Sequence, residues 1–292
     1  MSDEIEANLR LHVDRLAGLI GPRTLDRPKS ITATTGYIAG QWDAMQYDVQ
    51  TERYDAMGEP ATNLFVENRG TKRSDEIVLL GAHYDTVAGT PGADDNASAV
   101  AVMIEVSRLL RQHTGKRTAR YVAFTCEEKP YGDFDAMGSQ HHARQSKQRG
   151  DKIVGMLCLE MVGYFRDEIG SQSVPPSIPK RLHRFFPKRG NFLAAVGNPA
   201  SWKLNWQFRR GFKRKTNMPL FSIVLPEKVS EIRRSDNSSF WDHGYAALML
   251  TDTSFLRNPN YHQASDTPDT LDYQRMSEVT RGVAAAMQRL LR

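Results

Sequence analysis

IVLLGAHYDT, residues Ile77–Thr86, runs six apolar positions without a break into His83, Tyr84 and Asp85. An uninterrupted apolar run of this length is the pattern of a strand buried on both faces, as in the middle of a parallel sheet. Two more runs repeat it downstream, YVAFTC (Tyr121–Cys126) and IVGMLCLEM (Ile153–Met161). Helical periodicity fills the gaps, over Ser98–Leu110 and Gly138–Arg149. Strands alternating with helices predict crossover connections and a sheet covered on both faces.

Outward from this centre the pattern continues. Upstream, apolar residues from Ile5 to Ile20 recur at helical spacing and stop at Gly21-Pro22. A second helix is expected over Ile31–Met45. Tyr47–Tyr54 and Thr62–Glu67 read as strands separated by the turn Met57-Gly58-Glu59-Pro60. Downstream, Phe192–Val196, Pro219–Val224 and Ala247–Thr251 read as further strands, and Tyr273–Leu291 as a closing helix. The expected fold class is α/β, a three-layer sandwich with a mainly parallel, mixed central sheet and helices on both faces. One domain is expected over residues 1–292, with an irregular, Pro/Gly-rich insertion or lid around 163–201.

Composition narrows the function classes. With 292 residues, 40% hydrophobic and 25% charged, the chain has enough apolar residues for a packed core. No apolar run reaches the length of a membrane span. The acidic, amphipathic opening does not read as a secretory signal. Cys126 and Cys158 both lie in apolar, strand-like runs and read as small buried thiols, with no disulfide framework. A cytoplasmic setting is therefore the expectation. The net charge of +5 raises nucleic acid as a partner. The excess sits between Lys180 and Lys215, where Phe185, Phe186, Trp202, Trp206, Phe208 and Phe212 are interleaved. A solvated helix face plus loop, its apolar residues turned to the core, accounts for that stretch. Neither a nucleic-acid nor a membrane partner is expected.

In sheets of this kind, ligands bind beyond the carboxyl ends of the strands. The residues there are metal-capable in three successive runs: His83 and Asp85 after the first, Glu127 and Glu128 after the second, Glu160 near the end of the third. Asp85 is spaced to accept the second imidazole N–H of His83 and fix its tautomer. Glu127 and Glu128 are either an exposed loop pair or two carboxylates whose repulsion a cation relieves. Glu160 lies between Leu159 and Met161, where an ionised carboxylate costs several kcal/mol unless it is paired. Asp94 and Asp95 precede a helix. One of them suffices as an N-cap, which leaves the other free to bridge cations while Asn96 or Ser98 caps. His262, in a loop before the last helix, completes a mixed N/O ligand set suited to zinc, with manganese or cobalt as substitutes.

These residues fall within GAHYDT, PGADDNASAV, FTCEE, LCLEMVGY and YHQASDTPDTLDY. Five such segments in this order resemble the co-catalytic zinc aminopeptidases, among them bacterial leucyl aminopeptidases, with glutaminyl cyclases as distant relatives. The resemblance spans about Gly81 to Tyr273. It implies removal of N-terminal residues from peptides by two zinc ions. One ion would be held by His83, Asp95 and Glu160, the other by Asp95, Glu128 and His262. Glu127 would act as general base and acid, and Asp85 would orient His83. Two departures stand out: Glu160, where many relatives carry Asp, and Asn237, where relatives carry His after Ser-Asp. A glutaminyl cyclase, or a non-catalytic binding protein on the same scaffold, is the alternative.

Overall fold

The computed structural model describes residues 2–292. Helix α1 (Ser2–Val13) passes into a π-helical turn (Asp14–Ile20) and is followed by α2 (Pro28–Ala44). A hairpin, β1 (Gln50–Ala56) and β2 (Glu59–Asn68), leads to β3 (Arg73–His83), α3 (Ala99–Leu110), β4 (Arg117–Phe124), α4 (Gly138–Arg149) and β5 (Lys152–Glu160). After a long excursion come β6 (Leu193–Gly197), α5 (Trp202–Phe212), β7 (Leu220–Val224), a short α6 (Asn237–Asp242), β8 (Ala247–Thr251) and α7 (Tyr273–Leu290). All eight strands form one sheet in the order β1-β2-β4-β3-β5-β8-β6-β7. The central β4, β3, β5 and β8 are parallel, while β1, β2 and the β6–β8 pairing are antiparallel. This is the expected mixed α/β sandwich.

The apolar runs are continuous because each strand serves two cores. In β3, Val78, Leu80 and Ala82 join the large core under α1, α2, α3, α5 and α7, while Ile77 and Leu79 join the smaller one under α4 and α6. β5 and β8 split by the same parity: Leu157, Leu159, Leu248 and Leu250 to one side, Met156, Cys158, Ala247 and Met249 to the other.

Three sequence expectations need correction. Cys126 lies two residues beyond the end of β4, at φ 62°, and packs with Leu25, Ala56 and Ala61 rather than within a strand. The stretch 163–201 is not irregular throughout, since β6 lies inside it; residues 172–187 wall a cleft on the α6 face of the sheet. Within Lys180–Lys215, Phe208 and Phe212 turn to the core as expected, but Phe185, Trp202 and Trp206 are exposed. Among the described residues no helix is long and apolar enough to cross a membrane.

Candidate metal centre

β3, β4 and β5 are parallel neighbours, so their carboxyl ends lie side by side, and polar residues end or follow each of them. His83 is the last residue of β3 and Glu160 the last of β5; Glu127 and Glu128 follow β4. The loop after β3 adds Asp95, and the loop before α7 adds His262. His83 Nε2 lies 3.2 Å from Glu160 Oε2 and 3.5 Å from Asp95 Oδ1. His262 Nε2 lies 3.2 Å from the other oxygen, Asp95 Oδ2, and 3.3 Å from Glu128 Oε1. Two ligand-capable triads therefore share one carboxylate: His83, Asp95 and Glu160, and Asp95, Glu128 and His262.

The donor set fits divalent zinc. Donors about 2.0–2.1 Å from a tetrahedral ion are roughly 3.3 Å apart, close to the separations seen here. His83 Nε2 and Asp95 Oδ1 are buried and have no hydrogen-bond partner, a costly state for polar atoms that nothing else relieves. The protein's own charges do not balance either. Burial pushes the Glu127 carboxyl well up, and Glu160, Glu128 and Asp236 push it further against the pull of His83. Burial and Asp95 raise Glu128 to about 7. Burial opposes charge on His262, yet Asp95 and Glu128 hold it up at about 10. Four carboxylates facing two imidazoles are what a pair of cations would neutralise.

Around this centre the side chains are held by specific partners. His83 Nδ1 is 3.2 Å from the backbone carbonyl of Asp85 and 3.6 Å from its carboxylate, so the carbonyl is the nearer acceptor. The Asp85 carboxylate instead accepts from the backbone N–H groups of Glu127 (3.3 Å) and Glu128 (3.1 Å) and pins that pair. Glu127 Oε2 lies 3.9 Å from His83 Nε2, beside both triads without belonging to either. Ser235 donates to Glu160 Oε2 at 2.6 Å. Cys126, Met161 and His262 all take positive φ (62°, 47° and 58°), a strained backbone next to or within the ligand set.

The capping expectation for the Asp94–Ser98 loop fails: no side chain caps α3. Asp94 accepts from Gly163 N and Asn258 Nδ2, while Asn96 grips both sides of the β5 terminus through Leu159 O and Met161 N. Ser98 accepts from Val162 N. The loop is thus stitched to β5 rather than to its own helix. Asp266 supplies what the sequence did not reveal, accepting from the backbone N–H groups of Asp94 and Asp95. Asn237 donates to Ile232 O and belongs to neither triad.

Arg23 carries no motif, and its role shows only in the fold. Fully buried, its guanidinium donates to the carbonyls of Leu16, Gly21, Tyr84, Pro91 and Gly92, which ties the π-helical turn to both ends of the loop between His83 and Asp95. Gly92 holds φ 62°, with Arg23 and the Asp95 carbonyl where a Cβ would stand.

On the Glu160 side of the centre a cleft opens, walled by Phe186, Phe192, Phe221, Ile223, Met249 and Phe255. Tyr261, stacked on His262 with ring centroids 3.7 Å apart, stands at its mouth, within 3.3 Å of Arg234 Nη2.

The peptidase family M28 model matches residues 63–287. This chain belongs to peptidase family M28. It is a metallopeptidase by that membership. It is 34% identical over 276 residues to the uncharacterized protein YfbL of Escherichia coli, covering 92% of this chain and 83% of that one. It is 30% identical over 220 residues to a probable leucine aminopeptidase 1 of Trichophyton verrucosum, covering 70% of this chain but only 52% of the fungal protein. The fold superposes on BSAP, a zinc aminopeptidase from Bacillus subtilis, with a TM-score of 0.73 at 15% identity, over 98% of this chain and 95% of that one. Arg23 lies outside the matched family segment.

Proposed function

We propose that the chain is a zinc-dependent aminopeptidase with two co-catalytic ions, one held by His83, Asp95 and Glu160 and the other by Asp95, Glu128 and His262. The observation that carries this reading is Asp95, whose two oxygens face two different histidines at 3.5 and 3.2 Å. Zinc, when bound, supplies Lewis acidity toward a scissile carbonyl and toward water.

The chain's own residues do the rest. Glu127 stands beside both triads with a raised proton affinity, suited to take a proton from the attacking water and return it to the leaving amine. Asp85 fixes Glu127 through its backbone N–H and sets the tautomer of His83. The apolar cleft beside Glu160 would receive the side chain of the substrate's first residue. Its aromatic and aliphatic walls favour a bulky apolar residue such as Leu, Phe or Met over a charged one. A second complete triad also favours hydrolysis over glutaminyl cyclisation, for which a single zinc suffices.

The test is a panel of aminoacyl p-nitroanilides and of peptides beginning with Gln, assayed with zinc. Release from Leu or Phe substrates, abolished by chelation and restored by zinc, is the expected result. Cyclisation of N-terminal Gln without hydrolysis would replace this reading with the cyclase, and no turnover of any substrate would leave only the binding-protein alternative.

A further inference from the structure

We propose that the outer face of α5 docks the protein on membrane surfaces rich in anionic lipid. The charge distribution is the first observation. Between Glu168 and Glu227 the chain has no acidic residue, yet it carries 11 of the 39 lysines and arginines. The other 28 are outnumbered by the 34 acids, and six of the eleven, Lys203, Arg209, Arg210, Lys213, Arg214 and Lys215, lie on or just past α5.

The second observation is where α5 puts its aromatic residues. Leu204, Phe208 and Phe212 bury one face of the helix against the core and α7. Trp202 and Trp206, one turn apart on another face, are 56% and 48% exposed. Four residues apart on a helix is one surface stripe, so the two indoles stand together. Cations flank both: Lys203 Nζ is 5.6 Å from the Trp202 ring, Arg210 lies 4.7 Å over Trp206, and Arg289 of α7 approaches Trp206 at 5.8 Å. Lys213, Arg214 and Lys215 continue the positive charge past the helix end.

Indoles beside lysine and arginine are the composition of a surface that lies in a bilayer interface: the ring sits at headgroup depth and the cations meet anionic headgroups. Single-stranded nucleic acid also uses aromatics and cations, but it needs open ring faces for its bases. Here Arg210 already lies over the Trp206 ring. The observations favour the bilayer. Such docking leaves the metal centre free. β6 runs antiparallel to β8, so Gly197 and the start of α5 lie at the end of the sheet opposite Glu160.

The test is co-sedimentation of the full chain with phosphatidylcholine vesicles, with and without about 30% phosphatidylglycerol, at low salt, beside a 20-nucleotide single-stranded DNA arm. Binding to the anionic vesicles alone is expected, with a blue shift of tryptophan emission. Trp42 and Trp241 are already buried, so that shift reports Trp202 and Trp206. W202S/W206S and, separately, K203E/R210E should each weaken binding at least tenfold while hydrolysis of a small soluble substrate is unchanged. The second variant keeps the test valid if loss of the indoles impairs folding. Absence of vesicle binding, binding undiminished in a variant that retains wild-type hydrolysis, or binding of the oligonucleotide in place of vesicles would overturn the proposal.

Discussion

Glu127 and Glu128 are adjacent in sequence, yet the fold gives them different neighbours. Glu128 faces His262 at 3.3 Å and joins a triad, while Glu127 stands 3.9 Å from His83 outside both triads. Glu127→Gln keeps the shape and removes the proton-accepting charge. Turnover should fall about 10²–10⁴-fold with metal content unchanged, as read by steady-state kinetics beside elemental analysis. Glu128→Gln should instead lower metal content. Glu160 is the longer acid where the resemblance implies Asp, and Ser235 holds its Oε2 at 2.6 Å. Glu160→Asp withdraws the carboxylate by one methylene from both Ser235 and His83. Weaker binding of one metal equivalent by roughly 10–100-fold is expected in a chelator competition, with the second equivalent little affected.

Among the elements, the strand ends were legible and the clamps that hold the loops were not. His83, Glu127, Glu128 and Glu160 follow or end apolar runs, and a run of buried strand announces where its carboxyl end lies. Asp95 and His262 lie in loops, where residue type alone marked them as metal-capable and only the family segments around them chose Asp95 over Asp94 and assigned each to an ion. Arg23 left no trace, because its partners are five backbone carbonyls and any sequence presents carbonyls. The same holds for Asp266, which grips backbone N–H groups. Capping was misread for Asp94 and Ser98 because a local reading cannot see that β5 lies within reach. Arg23→Met should leave those carbonyls buried and unpaired and cost about 3–5 kcal/mol, read as a large drop in Tm with activity lost in parallel. A second clamp joins β1 to α4, where the half-buried Glu52 carboxylate accepts from His142 Nδ1 (2.7 Å) and Arg149 (3.3 Å). Burial alone would raise its pKa, but His142, Asn63 and Arg149 outweigh that and bring it down to about 2. A carboxyl with a depressed folded pKa contributes its full stability above its ordinary value of 4.5 and loses it as the pH falls toward about 2. Thermal melts should therefore show Glu52→Gln destabilised near neutral pH, with the gap to wild type closing between pH 4.5 and about 2.

Over the whole molecule, one sheet collects side chains from five separated segments into a single acidic centre. The α/β architecture was legible because alternating apolar and helical periods specify it. The antiparallel placement of β6 was not, since five apolar residues carry no direction. The exposure of Trp202 and Trp206 was hidden for a related reason: period alone does not say which side of α5 meets the core. A centre with this charge makes metal and stability interdependent, so stripping the ions should lower Tm and returning zinc should restore it in proportion to its concentration above the dissociation constant. The central claim is that Asp95 is shared between two cations. Zinc content per chain after exhaustive dialysis, measured on wild type and Asp95→Asn at matched folding, tests it most directly. The account predicts two equivalents for the wild type and less than one for the variant; a wild type holding none, or an Asp95→Asn protein that keeps both, would contradict it.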